Sequence, residues 1–340
     1  MLYFINDYSE GAAPKILDAM TESNMSKQSG YGDDEFCISA KEKIKKAIGK
    51  DAEIFFVSGG TQANKIVIAS VLKNFEGVIA ADTGHIAVHE AGAIENTGHK
   101  VFSLKSKDGK IDAVSIKRFC ENFYADVNHE HMVYPGMVYI SQPTEYGTLY
   151  SKKELEEINK VCKEYELLLF ADGARLAYAL GSSECDTSLK SIAKLCDVFY
   201  IGGTKCGALL GEAIVFTNKD ICKHFFTNMK LFGGVLAKSR VMGIQFDVLF
   251  SDGLYERLGK TGVDAAMKIK RALIEKGYEL YLDSVTNQQF IVVDDLQREK
   301  LSENIAFGFM ETLENGKHVI RFCTSWATKD EDVNKLIEIL

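Results

Sequence analysis

Proline is nearly absent from the chain. Three residues in 340, at positions 14, 135 and 143, leave no Pro-rich linker between domains. Cysteine pairs are missing too. Eight cysteines occur, at 37, 120, 162, 185, 196, 206, 222 and 323, but none makes a C-x-x-C pair and no zinc spacing is present. A chain of this length needs no disulfide staples, so they read as reduced, mostly buried thiols of a cytoplasmic protein. There is no basic excess: 40 Lys and Arg against 48 Asp and Glu leave a net charge of −8. That balance argues against non-specific binding to nucleic acid or anionic membranes, both of which need a net basic face. No basic segment followed by an apolar one opens the sequence. The most apolar stretch, Ile66–Leu72, falls far short of the roughly 18 residues of a membrane span. Tandem repeats and low-complexity segments are absent.

What remains is an ordinary globular composition, 46% hydrophobic and 26% charged. At roughly 100–200 residues per domain, the length allows about two domains. Short apolar strands alternate with amphipathic helices. Strands are expected at 53–57, 78–81, 101–104, 137–141, 167–171, 198–201 and 213–216. Helices are expected at 62–72, 152–165 and 174–180. From 220 to 277 the pattern is mostly helical. Strands near 289–293 and 318–323 follow, with helices at 296–309 and 330–340. The alternation over 53–216 predicts an α/β unit with a largely parallel sheet, in which ligands bind beyond the carboxyl ends of the strands. A smaller α+β unit follows, and the division is placed at 1–245 and 246–340.

Several segments at strand ends carry candidate chemistry. Ser58-Gly59-Gly60-Thr61 links a strand to a helix, where backbone N–H groups and the helix N-terminus favour an anion. It reads either as a phosphate cup or as a plain turn, and matches neither G-x-G-x-x-G nor a Walker A loop. Asp172 ends a buried strand, where it either meets a cation or caps the next helix. Lys205 lies between small residues at a strand end, as a Schiff-base lysine or a solvated loop residue. His85 follows the strand at 78–81 and suits a place over a planar ring or a proton shuttle. His85 and His89 are four apart, but the H-E-x-x-H pattern is absent, and no metal is expected. His129 and His131 precede the strand at 137–141 in a polar segment. Arg321, between Ile320 and Phe322, needs an anion, either a substrate carboxylate or an internal partner.

Taken together, these segments resemble a pyridoxal-phosphate (PLP) enzyme of the aspartate-aminotransferase fold. More narrowly, they resemble the threonine aldolase branch of the β-eliminating lyases, and within it the low-specificity L-threonine aldolases. The likeness runs through Asp7-Tyr8-Ser9-Glu10-Gly11, Tyr31-Gly32-Asp33-Asp34, Gly60-Thr61-Gln62-Ala63-Asn64, Pro143-Thr144-Glu145, Asp172-Gly173-Ala174-Arg175, Thr204-Lys205 and Arg321-Phe322. It implies that Lys205 carries PLP covalently and that Asp172 faces the pyridine nitrogen. It implies His85 over the ring, and Gly60 and Thr61 at the phosphate, with Thr204 or Lys230 as further partners. Ser9, Arg175 and Arg321 would hold the substrate carboxylate. Tyr31 would approach the site from a neighbouring subunit of a dimer of dimers. His131 would match a family histidine near the substrate hydroxyl.

The chain departs from many relatives in three places: Gly59-Gly60, Gly233-Gly234-Val235-Leu236-Ala237-Lys238, and Gln142-Pro143-Thr144-Glu145, where those relatives read Glu-Asn-Thr-His. The implied reaction is retro-aldol cleavage of L-threonine or L-allo-threonine to glycine and an aldehyde, with His85, His131 or a water they hold as the base. The alternatives are a racemase, a β-eliminating lyase or an aminotransferase on the same fold, a nucleotide-dependent α/β enzyme, or a non-catalytic scaffold.

Overall fold

A computed structural model describes residues 1–340. Twelve strands form two sheets. In chain order they are β1 (Leu2–Phe4), β2 (Glu53–Val57), β3 (Glu76–Ala81), β4 (Val101–Leu104), β5 (Tyr134–Ser141), β6 (Leu168–Asp172), β7 (Val198–Gly202), β8 (Glu212–Phe216), β9 (Glu279–Leu280), β10 (Gln288–Val293), β11 (Ile305–Thr312) and β12 (His318–Cys323).

The large sheet has the order β2-β8-β7-β6-β5-β3-β4. Only β8 runs against the rest, pairing antiparallel with β7 and β2. The other neighbouring pairs are parallel. Its central strands are buried on both faces; every residue of β7 and β8 is buried, which is why they read as unbroken apolar runs. Apolar clusters fill both faces, one built on Ile54, Val138, Leu169 and Phe199, the other on Val57, Tyr139, Phe170 and Tyr200. Neighbours along each strand therefore divide between the two layers, as the two-residue side-chain period requires.

Helices start where the sequence supplies caps. Ser151 and Glu154 form a reciprocal capping box at the head of the helix Lys152–Glu164. Asp34 caps the helix Glu35–Ile48, which ends at Gly49 in the left-handed conformation. The helix Gly60–Val71 differs: its N-cap is Gly59 and no side chain caps it, so the donors of its first turn are left for something else.

The small sheet has the order β1-β11-β12-β10-β9. It corrects one expectation. The predicted helix 296–309 ends at Ser302, and Ile305–Thr312 is a strand. Leu301, Ile305 and Gly308 fall on one helical face, but β11 is paired on both sides, by β1 and β12, and that ladder overrides the local pattern. The long helix Leu254–Glu275 lies against the helix Leu176–Gly181, with Gly259 and Gly262 facing Ala177 and Tyr178. A Cβ at Gly259 would stand 2.0 Å from the Ala177 carbonyl oxygen, so only glycine permits this crossing.

Candidate active site

Because β2, β3, β5, β6 and β7 point the same way, their carboxyl ends share one edge of the large sheet, and β8 begins there. A cleft of about 270 Å³ opens along that edge. Its walls are Ser58, Gly59, Gly60 and Thr61 after β2, His85 after β3, Ser141, Pro143 and Glu145 from the end of β5, and Asp172, Ala174 and Arg175 from β6. Tyr200, Thr204 and Lys205 come from β7, Glu212 from β8, and Tyr8 from the N-terminal segment.

Lys205 is half-buried and makes no ion pair. Burial, and next the charge of Arg175, lower its ammonium pKa, favouring a nucleophilic amine. On the adjacent strand, Asp172 is buried. Its Oδ2 accepts hydrogen bonds from Tyr139 Oη at 2.5 Å and Asn64 Nδ2 at 3.1 Å, and its Oδ1 accepts one from the Ala174 amide at 2.9 Å. Asp172 therefore both turns the chain toward the next helix and presents an oriented carboxylate to the cleft. Glycine at 173 allows the close approach of β7, since a Cβ there would stand 1.9 Å from the Tyr200 carbonyl oxygen.

His85 stands across the cleft. Its Nδ1 meets Glu90 Oε1 at 2.9 Å, and the same oxygen accepts a hydrogen bond from Asn64 Nδ2 at 2.7 Å. Asn64 thus links the two carboxylates that serve His85 and Asp172. Burial opposes the charged imidazole, but the bond to Glu90 and the charge of Asp172 outweigh it, and the His85 pKa is raised. Glu212 accepts hydrogen bonds from Thr204 Oγ1 at 2.8 Å and the Gly203 amide at 3.0 Å. Burial pushes its carboxyl up to about 8.

Seven of the residues singled out from the sequence line the cleft: Gly60, Thr61, His85, Asp172, Arg175, Thr204 and Lys205. Five do not. His131 sits on the exposed turn His129–His131, ahead of β5. Eight residues of strand at about 3.3 Å each separate it from the cleft at the other end of β5, which is incompatible with contact inside one subunit. Ser9 is exposed and its hydroxyl donates to Asn6 Oδ1 at 2.8 Å. Tyr31 and Lys230 lie together elsewhere, the ammonium 5.2 Å from the ring centroid. Arg321 is not among the residues that line the cleft: Nη1 donates to Gln288 Oε1 at 2.8 Å and Nη2 to the Ile5 carbonyl at 2.9 Å, while Nε is buried without a partner.

Sequence reasoning missed Asp7, Asn64, Glu90, Tyr139, Tyr200 and Glu212. Tyr139 and Tyr200 had a local signal, since a tyrosine in a buried strand needs a partner for its hydroxyl. Asn64 and Asp7 lie inside motifs that were noted without a role. Glu90 and Glu212 carried no signal beyond being carboxylates in apolar surroundings.

An oriented carboxylate, an unpaired lysine in the turn after the next strand and an uncapped helix N-terminus suit a protonated pyridine, its aldehyde and its phosphate. Together with the seven-stranded mixed sheet, they define an enzyme of the PLP-dependent fold type I, aspartate-aminotransferase-like class. The family model described as beta-eliminating lyase matches residues 4–297, and the chain belongs to that family. A low specificity L-threonine aldolase of Pseudomonas aeruginosa is 31% identical over 340 residues, covering 98% of this chain and 95% of the relative. The threonine aldolase of Leishmania major superposes with a TM-score of 0.97 at 41% identity, over 100% of this chain and 98% of that one. Cystalysin from Treponema denticola, a structure containing pyridoxal 5'-phosphate, shares the fold at a TM-score of 0.73 and 16% identity, over 99% and 89% of the two chains.

Proposed function

We propose that this chain is a PLP-dependent aldehyde-lyase that cleaves L-threonine, L-allo-threonine and related β-hydroxy-α-amino acids to glycine and an aldehyde. The observation that carries this reading is the placement of Lys205 beside Asp172 at the shared strand edge, in a chain alignable almost end to end with L-threonine aldolases. PLP supplies, when bound, an electron sink for the pair released at the substrate Cα. Lys205 would hold it covalently. Asp172, fixed by Tyr139 and Asn64, would keep a proton on the ring nitrogen. The uncapped amides at Gly60 and Thr61, with Thr204, would hold the phosphate. His85, with Nδ1 tied to Glu90, would face the bound ring and offers Nε2 for proton transfer.

Arg175 and Arg321, with Ser9, orient the substrate carboxylate so that the Cα–Cβ bond is the one to break. The chain divides into units 1–245 and 246–340, with Leu2–Phe4 pairing onto the sheet of the second. We further propose a homo-oligomer, a dimer of dimers. Tyr31 is 51% exposed and holds a φ of 61° away from its own cleft, as expected of a side chain that serves a neighbouring site, with Lys230 alongside. A cytoplasmic location agrees with eight free cysteines.

The test is the visible spectrum of purified protein before and after borohydride, then L-threonine with an aldehyde assay. A cofactor band trapped on Lys205, with acetaldehyde and glycine released, supports the reading. A band without aldehyde would move the reaction to another PLP chemistry.

A further inference from the structure

We propose that Glu145 is a catalytic residue of this cleft: its carboxylate takes the proton of the substrate's β-hydroxyl group as the Cα–Cβ bond breaks. The inference rests on the aldolase reading and adds the group that reading leaves open.

Three observations carry it. The first is position. The sheet order β6-β5-β3 puts the loop after β5 between Asp172 and His85, and Glu145 lines the cleft there. The second is an unengaged oxygen. Glu145 Oε1 accepts hydrogen bonds from Ser141 Oγ at 2.7 Å and the His85 amide at 2.9 Å, while Oε2 has no partner and no cation pairs with the carboxylate. The competing carboxylates are committed. Both oxygens of Asp172 and both of Glu212 accept hydrogen bonds, and Glu90 is sealed behind His85, its side chain fully buried. The third is support. The backbone carbonyl of Glu145 accepts a hydrogen bond from Gln288 Nε2 at 3.3 Å, and Gln288 Oε1 accepts one from Arg321. The proton acceptor and the arginine proposed to hold the substrate carboxylate are thus fixed to one glutamine, so the hydroxyl and carboxylate ends of a small amino acid are gauged against each other. Burial raises the Glu145 pKa, outweighing the bond from Ser141. The direction strengthens it as a base.

The step balances. The hydroxyl O–H bond breaks, its proton passes to Glu145, and its electron pair forms the aldehyde C=O bond. The Cα–Cβ pair stays with Cα, which later takes a proton to become glycine. Glu145 returns its proton to solvent.

The test compares two reactions of the PLP-loaded enzyme. One is cleavage of L-threonine. The other is exchange of the glycine Cα proton in deuterium oxide, which involves no hydroxyl group. In Glu145→Gln the amide oxygen still accepts from Ser141 and His85, so the local fold keeps its ties. The expected result is a ratio of cleavage to exchange lower by about 10²–10⁴-fold, with Glu145→Asp falling between parent and Gln. Equal loss of both reactions would reduce Glu145 to a structural tie and overturn the proposal, as would a Gln variant that cleaves as fast as the Asp variant. The parent is run alongside. If it exchanges glycine but cleaves no β-hydroxy amino acid, the aldolase reading itself has failed, and Glu145 falls with it.

Discussion

Asp7 grips Arg175 at two points, accepting hydrogen bonds from Nε at 2.6 Å and Nη2 at 3.0 Å across 168 positions of sequence. Asn287 adds a third bond to the same carboxylate, at 2.9 Å. Asp7 is 1% exposed. Burial opposes its charge, but Arg175 and Lys205 prevail and its pKa is lowered. An arginine positioned this way keeps a fixed direction toward the cleft.

Removing one partner of a buried pair strands the other charge. Asp7→Ala is therefore expected to destabilise the fold by about 3–5 kcal/mol. Because the folded pKa of Asp7 is depressed, its contribution is present above the unfolded value of about 3.9 and is lost as pH falls through the folded value. Urea melts at several pH values check both points. The gap between parent and variant should narrow on the acid side, and a gap independent of pH would argue against the ion pair.

Lys205→Ala should abolish borohydride-trapped cofactor and lower threonine cleavage by on the order of 10⁴-fold or more, as loss of a covalent nucleophile does elsewhere. Mass spectrometry of the reduced protein reads the first effect and an aldehyde assay the second.

Asp172→Asn loses the charge that faces the ring nitrogen but keeps the shape. A loss of about 2–5 kcal/mol for a buried charge pair predicts PLP binding weakened by roughly 30-fold or more, together with slower turnover. Titration of apoenzyme with PLP measures it. Unchanged affinity would make Asp172 only the cap of the Ala174 turn.

Glu90→Gln should lower the His85 pKa, since Glu90 is the nearest group that raises it. The pair stabilises the fold fully below the unfolded histidine value of about 6.5, and that contribution fades as pH rises through the elevated folded value. A proton NMR titration of the His85 ring in parent and variant follows the shift.

The segments at strand ends were legible because a parallel sheet announces itself locally: an apolar run, then glycine and polar residues, then a helix. Lys205, Asp172, His85 and Gly60 are each read from about ten residues around them. The rest depends on distance along the chain. Nothing near Asp7 says that its partner is Arg175, and nothing in Ile305–Thr312 says that β1 will pair with it. His131 was misplaced because a strand's length, not its neighbours in sequence, decides which end of the sheet a residue occupies. Glu145 was visible as a letter in a motif. Its role depended on which oxygens were already taken.

The pairing of Leu2 with Ile305 has a meaning for synthesis. Translation at about 5–20 residues per second separates the emergence of these two partners by roughly 15–60 s. Through that interval the segment that brings Asp7 and Tyr8 to the cleft has no docking strand, and once Phe216 has been made the sheet bearing Lys205 and Asp172 is complete in sequence while that strand is still missing. In the cell, the nascent chain would therefore carry a finished floor and a missing wall, and cofactor capture would wait on about the last tenth of the protein to leave the ribosome.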